Sequence, residues 1–221
     1  MNLMPFDELN VLEASLPQHF ENGKIRSRKD CEDIIDEMLD LFLLAYANGV
    51  VATQEDIGTD ETPTAEDADA TINKEIAGKT WRQRVWEYYG ESEKVPNPVA
   101  KIATTAADTG ATATEAAFTE EEAQAAARKT ISELMRIAET EAHRDSNEAA
   151  YVTATKAGAQ TKTWHCMMLP TSRDTHIYLN GTTAPIDGEF YSYMGGSTQF
   201  PGQWGIAEED VNCLCWLTYS K

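Results

Sequence analysis

A long helix-forming segment followed by short strand-forming segments is the feature of this sequence that most restricts its fold. Thr119 and Glu122 have the spacing of a capping box, in which two side chains bond each other's backbone amides at a helix start. Apolar residues then recur at helical spacing, and the pattern continues to Gly158, with Asp145-Ser146 as a place where the helix could break. The sequence therefore predicts one long helix between Thr119 and Gly158.

The pattern after this helix is that of a small sheet. Alternating residues favour three strands, at 162–168, 190–193 and 213–219. A short helical turn is expected at 172–179, and the Gly- and Pro-containing stretch 195–205 is expected to be a loop. We therefore predict an α+β fold, mainly helical at its N-terminal end, with the long helix packed on a small C-terminal β-sheet.

Three further helices are predicted before the long one. The first begins at Arg28, behind a capping pair formed by Ser27 and Asp30, and ends at Asn48-Gly49. The second runs from Ala65 to Gly78, and the third closes at Gly90. One side of the third helix carries large apolar residues that we assign to the core, namely Trp81, Val85, Trp86 and Tyr89.

Charge and composition divide the chain into three parts. Residues 1–90 form an acidic helical N-terminal region, and residues 119–221 form the α+β domain. Residues 91–118 between them are an Ala/Thr-rich joint or helix. The tract 99–118 is compatible with a closely packed helix or with a mobile linker, and the sequence does not decide between these alternatives.

The overall charge argues against one class of partner. Asp and Glu number 37 against 18 Lys and Arg, which gives a formal net charge of −19. General binding to nucleic acid depends on neutralising phosphates with basic side chains, so we expect weak or no direct nucleic-acid binding. The longest apolar run, 38–47, is interrupted by Asp40, and the chain starts with acidic residues. We therefore expect neither a membrane segment nor a signal peptide.

Polar residues on the long helix form the first candidate site. Glu141, Arg144 and Asn147, with Glu148, follow at helical steps and share one face. The simplest interpretation is a solvent-exposed charge ladder. An alternative joins Glu141 and Arg144 with Arg173 and His176 in a nuclease-like site, in which carboxylate and imidazole exchange protons and arginine holds a phosphate.

Histidine and cysteine near the C-terminus form the second candidate site, which contains Arg173, His176, Cys213 and Cys215, with His165 and Cys166 in the strand before. Cysteines two positions apart face the same side of a strand, and zinc favours four such ligands in a tetrahedron. Zinc knuckles usually space their cysteines more widely, so buried free thiols are the preferred interpretation, and we expect no metal and no cofactor. A cysteine nucleophile with His176 as its base is a further alternative.

Several short motifs follow one another in the order found in a family of phage proteins. They are Thr140-Glu141, Arg144, Asn147, Lys162-x-Trp164, Arg173-x-x-His176, Leu179-x-Gly181, Phe190, Pro201-Gly202 and Asn212-Cys213-x-Cys215. This order resembles the tailed-phage minor head proteins, which share a head morphogenesis domain with the F protein of phage Mu. The chain departs from that family at Leu214, where arginine is common, and the departure weakens the case for a nucleic-acid role.

The resemblance implies a minor capsid protein that binds the portal protein inside the prohead and aids head assembly and DNA packaging or ejection. It implies a location in the virion, in the capsid interior near the portal, and in the host cytoplasm during assembly. Major capsid or scaffold protein is a further candidate partner. No catalytic activity is established for the family as a whole. We expect none here, and no toxin-like domain of the kind that follows in some relatives.

In such a protein the motif residues would be structural. Glu141 and Arg144 would pair with Arg173 or with C-terminal backbone. His176, Asn212 and the two cysteines would tie the small sheet to the long helix.

Overall fold

A computed structural model describes residues 4–76, 78–91 and 119–221 of the chain. The Ala/Thr-rich tract 99–118 lies outside the described residues, so both interpretations of it remain predictions.

Helices dominate the described residues. They are α1 (Phe6–Ser15), α2 (Arg28–Ile57), α3 (Ala65–Ile72), α4 (Trp81–Glu91), α5 (Glu120–Lys156), α6 (Asp174–Leu179) and α7 (Ala207–Asp210). The strands are short, and they are β1 (Phe20–Glu21), β2 (Lys24–Ile25), β3 (Thr161–His165), β4 (Thr183–Pro185), β5 (Phe190–Tyr191), β6 (Ser197–Thr198) and β7 (Trp216–Ser220). The predicted α+β class is confirmed.

The two long helices, α2 and α5, pack along each other and run in the same direction. Gly23, just before α2, lies against Ala123 in the first turn of α5. Farther along, Gly49 of α2 lies against the backbone of Ser146 in α5. These two close approaches fix both the direction and the register of the pair.

Side-chain capping explains where three of these helices begin. The Ser27 side chain accepts a hydrogen bond from the Asp30 amide at the start of α2, and capping boxes open α3 at Thr64 and α5 at Thr119. The predicted helix starts at Arg28 and Ala65 are therefore confirmed.

Two predicted helix ends and one predicted break are wrong. α2 continues through Gly49 and ends before Gly58, which has the left-handed backbone that often follows a helix. α3 ends at Ile72, well before Gly78. α5 is continuous through Asp145 and Ser146, because both side chains are buried and hydrogen-bonded within the fold.

The main sheet has the order β4-β3-β7, and both pairs are antiparallel. Trp164 of β3 lies opposite Leu217 of β7. The predicted strands at 162–168 and 213–219 are placed correctly but are too long at one end. β3 stops at His165, and β7 begins at Trp216, so Cys213 and Cys215 lie in the segment that leads into the strand.

Two apolar cores lie on either side of α5. The helical core contains the Phe42–Trp81 edge-to-face pair, whose ring centroids are 4.8 Å apart. The second core joins α5, through Ala150 and Ala154, to the sheet around Trp164. The predicted core role of Trp81 is confirmed. No helix among the described residues is long and apolar enough to span a membrane.

Candidate functional site

The candidate site begins with a stretch of α5 from Glu141 to Asn147. Every residue of this stretch is buried, and all except Ala142 are polar. Glu141, Arg144 and Asn147 each expose 1% of their surface. The prediction of a solvent-exposed charge ladder is therefore wrong for these three residues. The reason is that α5 passes between the helical core and the sheet core, so this part of the helix has no face left for solvent.

An ion network occupies this stretch. A terminal nitrogen of Arg144 lies 2.6 Å from Asp145 Oδ1, 3.0 Å from Glu141 Oε2 and 3.0 Å from the Thr71 carbonyl oxygen. Arg84 of α4 lies 2.9 Å from the other oxygen of Glu141. The network therefore ties α5 to α4 and to the end of α3.

Burial sets the charge states of this network. Loss of solvent raises the pKa of Asp145 to about 7, although the neighbouring Arg144 guanidinium acts in the opposite direction. Burial lowers the pKa of Arg144, but the carboxylates of Asp145 and Glu141 outweigh it, and the net shift is upward. Arg144 is therefore the fixed positive charge at the centre of the site.

The predicted pairing of Glu141 and Arg144 with Arg173 is wrong. Arg173 instead donates a hydrogen bond to the carbonyl of Val211, across from the start of α6. Among the described residues, no hydrogen bond or ion pair joins Arg173 or His176 to the Arg144 network. The residues of the nuclease-like alternative are therefore divided between two separate clusters.

α5 is tied to the C-terminal segment by two other residues. His143 Nε2 donates to the carbonyl oxygen of Cys215 at 2.8 Å, and Asn147 donates to the same oxygen at 3.4 Å. The predicted link between the long helix and C-terminal backbone therefore exists, but it is made by Asn147 and His143. Sequence reasoning missed His143, whose only signal was its position four residues before Asn147.

The second cluster brings together His176, Cys213 and Cys215, all of which are buried. His176 Nδ1 lies 3.6 Å from the Cys213 sulfur and 3.4 Å from the Cys215 sulfur. Its other nitrogen, Nε2, lies 3.0 Å from Glu209 Oε2. Glu209 was not singled out in the sequence, since an acidic residue in an acidic loop carries no distinguishing pattern.

The two thiols in this cluster differ in acidity. A hydrogen bond from Cys215 and the proximity of His176 hold the pKa of Cys213 well below its usual range, despite complete burial. The same pairing, together with burial, raises the pKa of Cys215. Burial lowers the pKa of His176, but contact with Cys213 and the charge of Glu209 give a net upward shift.

Aromatic rings enclose the cluster. Trp164 of β3 meets His176 edge-on at 5.9 Å, and Trp204 stacks on the same imidazole at 6.2 Å. Of the two residues predicted beside this site, Cys166 borders the same cavity as His176 and the two cysteines, whereas His165 does not line it. The backbone amide of Cys166 bonds to Asn180, while His165 stacks on Trp216 on the other side of the strand.

Lys162 is fully buried between aromatic rings. Its Nζ lies 4.7 Å from the ring centroid of Tyr151 and 5.7 Å from that of Phe190. Within the described residues this nitrogen has no hydrogen-bond partner. Burial lowers the pKa of Lys162 to about 8. Burial therefore destabilises the charged form of this ammonium group, and the two aromatic rings are its neighbours.

Gly181 and Asn212 both adopt left-handed backbone conformations. Gly181 has φ +80 and its amide donates to the carbonyl of Trp164 at 2.8 Å, so it fixes the turn between α6 and β4. Asn212 has φ 57 and starts the segment that carries Cys213 and Cys215. Both residues therefore shape the backbone around the cluster.

Comparison with known proteins identifies the family to which this chain belongs. The profile described as "Phage Mu protein F like protein" matches residues 71–218. The chain belongs to this family. The match covers both the Arg144 network and the His176 cluster.

Two curated relatives share part of this region. NAD(+)--arginine ADP-ribosyltransferase EFV of Enterococcus faecalis is 31% identical over 148 residues, which are 65% of this chain and 29% of that protein. Minor head protein GP7 of Bacillus phage SPP1 is 32% identical over 85 residues, which are 37% of this chain and 28% of that protein. The chain therefore matches less than a third of the length of either relative, and no solved structure matches.

Proposed function

We propose that this chain is a minor head protein of a tailed phage, located in the capsid interior beside the portal, which it binds during head assembly. The observation that carries the proposal is the family match over residues 71–218, supported by the similarity to Minor head protein GP7. In this proposal, the chain aids head assembly and DNA packaging or ejection.

The portal contact is proposed to lie on the C-terminal domain. Most of the large apolar side chains that are exposed within the described residues lie there, namely Met167, Met168, Leu169, Ile177, Tyr178, Tyr191, Tyr193 and Met194. Exposed apolar side chains of this kind favour binding to another protein. Major capsid or scaffold protein remains a further proposed partner.

Direct binding to DNA is proposed to be weak or absent. The net charge of −19 repels phosphate, and the buried arginine of the site, Arg144, is already paired with carboxylates. A salt-dependent shift assay with double-stranded DNA tests this proposal. Tight binding at physiological salt would contradict it.

We also propose that this chain has no enzymatic activity of its own. The two relatives named above differ in function, and each matches the chain over less than a third of its own length. A shared structural domain accounts for both matches. Incubation with NAD and an arginine-containing acceptor is expected to release no nicotinamide, and release that depends on the chain would contradict the proposal.

Binding to the portal is tested by co-expressing the full chain with the portal protein of the same phage, followed by native mass measurement. A complex with few copies of the chain for each portal ring is expected. Met194→Ser is expected to weaken the complex, whereas Val11→Ser is the matched control, since both side chains are 69% exposed. Folded protein that forms no complex would overturn the proposal, and equal weakening by both variants would overturn the assignment to the C-terminal domain.

A further inference from the structure

The separations in the His176 cluster are those of a metal site. In tetrahedral zinc sites the bonds to sulfur are about 2.3 Å and those to nitrogen about 2.1 Å, which places nitrogen and sulfur ligands about 3.6 Å apart. Nδ1 of His176 lies 3.6 Å from the sulfur of Cys213 and 3.4 Å from that of Cys215. All three ligand atoms lie within 4.8 Å of one another. The two nitrogen–sulfur separations therefore match those of a tetrahedral zinc site.

The histidine is oriented for this role from its far side. Its Nε2 faces Glu209 Oε2 at 3.0 Å, and Glu209 is only 2% exposed. Hydroxyl groups of Thr175 and Ser192 donate to the two oxygens of that carboxylate, at 2.9 Å and 2.6 Å. A carboxylate close to the second nitrogen is the usual arrangement behind a metal-binding histidine.

There is room for a fourth ligand. A cavity of about 40 Å³ borders both cysteines and His176, and its wall also includes Cys166, Ser172 and Arg173. This volume exceeds what one water molecule needs. The ligand atoms that lie close together come from His176, Cys213 and Cys215, and His143 is not in this group.

Another group of candidate ligands in the described residues lacks these features. His19, Asp30 and Asp33 lie close together, but Asp30 is already bonded to Arg26 and Ser27. Asp33 is paired with Lys29. The carboxylates of this group are therefore neutralised by side chains.

We propose that His176 Nδ1 and the sulfurs of Cys213 and Cys215 bind one zinc ion, with water from the adjoining cavity as the fourth ligand. Two thiolates and an imidazole are ligands that favour zinc over calcium or magnesium. Occupied, the site joins α6 to the segment before β7, which His143 and Asn147 attach to α5. This proposal differs from the expectation of no metal, which was drawn from the close spacing of the cysteines.

Metal analysis of the full chain tests the proposal, using protein purified without a histidine tag from zinc-supplemented cells. One equivalent of zinc is expected in the wild type and in the control variant Cys31→Ala. Cys213→Ser, Cys215→Ser and His176→Asn are expected to lose at least nine-tenths of it. Strong chelation is expected to lower the melting temperature of the wild type.

A second readout protects the test against variants that fail to fold. Cobalt titrated into metal-free wild-type protein is expected to produce the charge-transfer bands of thiolate ligands and the visible bands of a tetrahedral ion, and zinc is expected to remove them. Wild-type protein that is folded but binds neither ion would overturn the proposal. Loss of zinc in Cys31→Ala equal to that in Cys213→Ser would also overturn it.

Discussion

Gly49 of α2 lies directly against the backbone of Ser146 in α5. A Cβ atom at residue 49 would be 2.0 Å from the Ser146 carbonyl oxygen and 3.1 Å from the Cβ of Ala149. The two long helices therefore approach each other here as closely as backbone allows. The contact lies inside the buried stretch of α5, so the position of the Arg144 network depends on it.

Replacing Gly49 with alanine is expected to lower the free energy of unfolding by more than about 2 kcal/mol, because backbone of α5 would have to move. Gly90→Ala is the matched control, since Gly90 is also helical and an added Cβ there meets nothing within 4 Å. The control is expected to be neutral or stabilising by about 1 kcal/mol. Denaturant unfolding of both variants checks the prediction, and equal effects would contradict it.

Replacing Arg144 with alanine is expected to cost about 3 to 5 kcal/mol, because Glu141 and Asp145 would remain buried without their partner. Arg136→Ala removes an exposed arginine that pairs with Glu133 one turn away on the same helix, and a change within about 1 kcal/mol is expected. Thermal melting of the two variants provides the comparison. Wild-type melting of Arg144→Ala would show that the network is not structural.

Local signals in the sequence predicted the helix starts well, because capping depends on residues three positions apart. The predicted end of α2 at Gly49 was wrong. A glycine that allows two helices to approach closely cannot be distinguished in a single sequence from a glycine that ends a helix. The sequence analysis did not predict α1, β1 or β2. These elements depend on contacts with distant residues rather than on a pattern in their own sequence.

Much of the candidate site was also predicted, but its arrangement was not. The spacing of Glu141, Arg144 and Asn147 placed them on one face, yet only the fold shows that this face is covered by the second core. His176 and the cysteines were grouped correctly. Glu209 and His143 could not be found, because they act on the cluster from segments that no local pattern connects to it.

Lys162→Met is expected to change the dependence of stability on pH. The pKa of Lys162 falls from 10.5 to about 8 on folding, so the folded state favours the neutral amine. Above pH 10.5 the amine is neutral in both the folded and the unfolded state, so its burial costs no charge. As the pH falls from 10.5 to about 8, only the unfolded state gains the proton, so the stability of the wild type decreases over this range.

Wild-type protein is thus expected to gain up to about 3 kcal/mol relative to Lys162→Met between pH 7 and pH 11. Denaturant unfolding at a series of pH values measures the difference between the two proteins. Lys129→Met, which removes an exposed lysine, controls for the loss of charge. If the difference in the free energy of unfolding between wild type and Lys162→Met is constant over this range, burial does not lower the pKa of Lys162.

Asn212 is expected to tolerate glycine but not valine. Its φ of 57 is accessible to asparagine and glycine, whereas a β-branched side chain is strained there. Asn212→Gly should melt within a few degrees of the wild type, and Asn212→Val should melt clearly lower. The side chain is exposed, so a large loss in Asn212→Gly would instead indicate that the amide group itself is needed.

We propose that this chain is a minor head protein located at the portal. The most direct test of this proposal is to count the chain by quantitative mass spectrometry in purified proheads of its phage, assembled with and without the portal gene. We expect a few copies of the chain in each normal prohead and almost none in proheads that lack the portal. Equal amounts in both preparations, or none in either while the chain is expressed and folded, would contradict it.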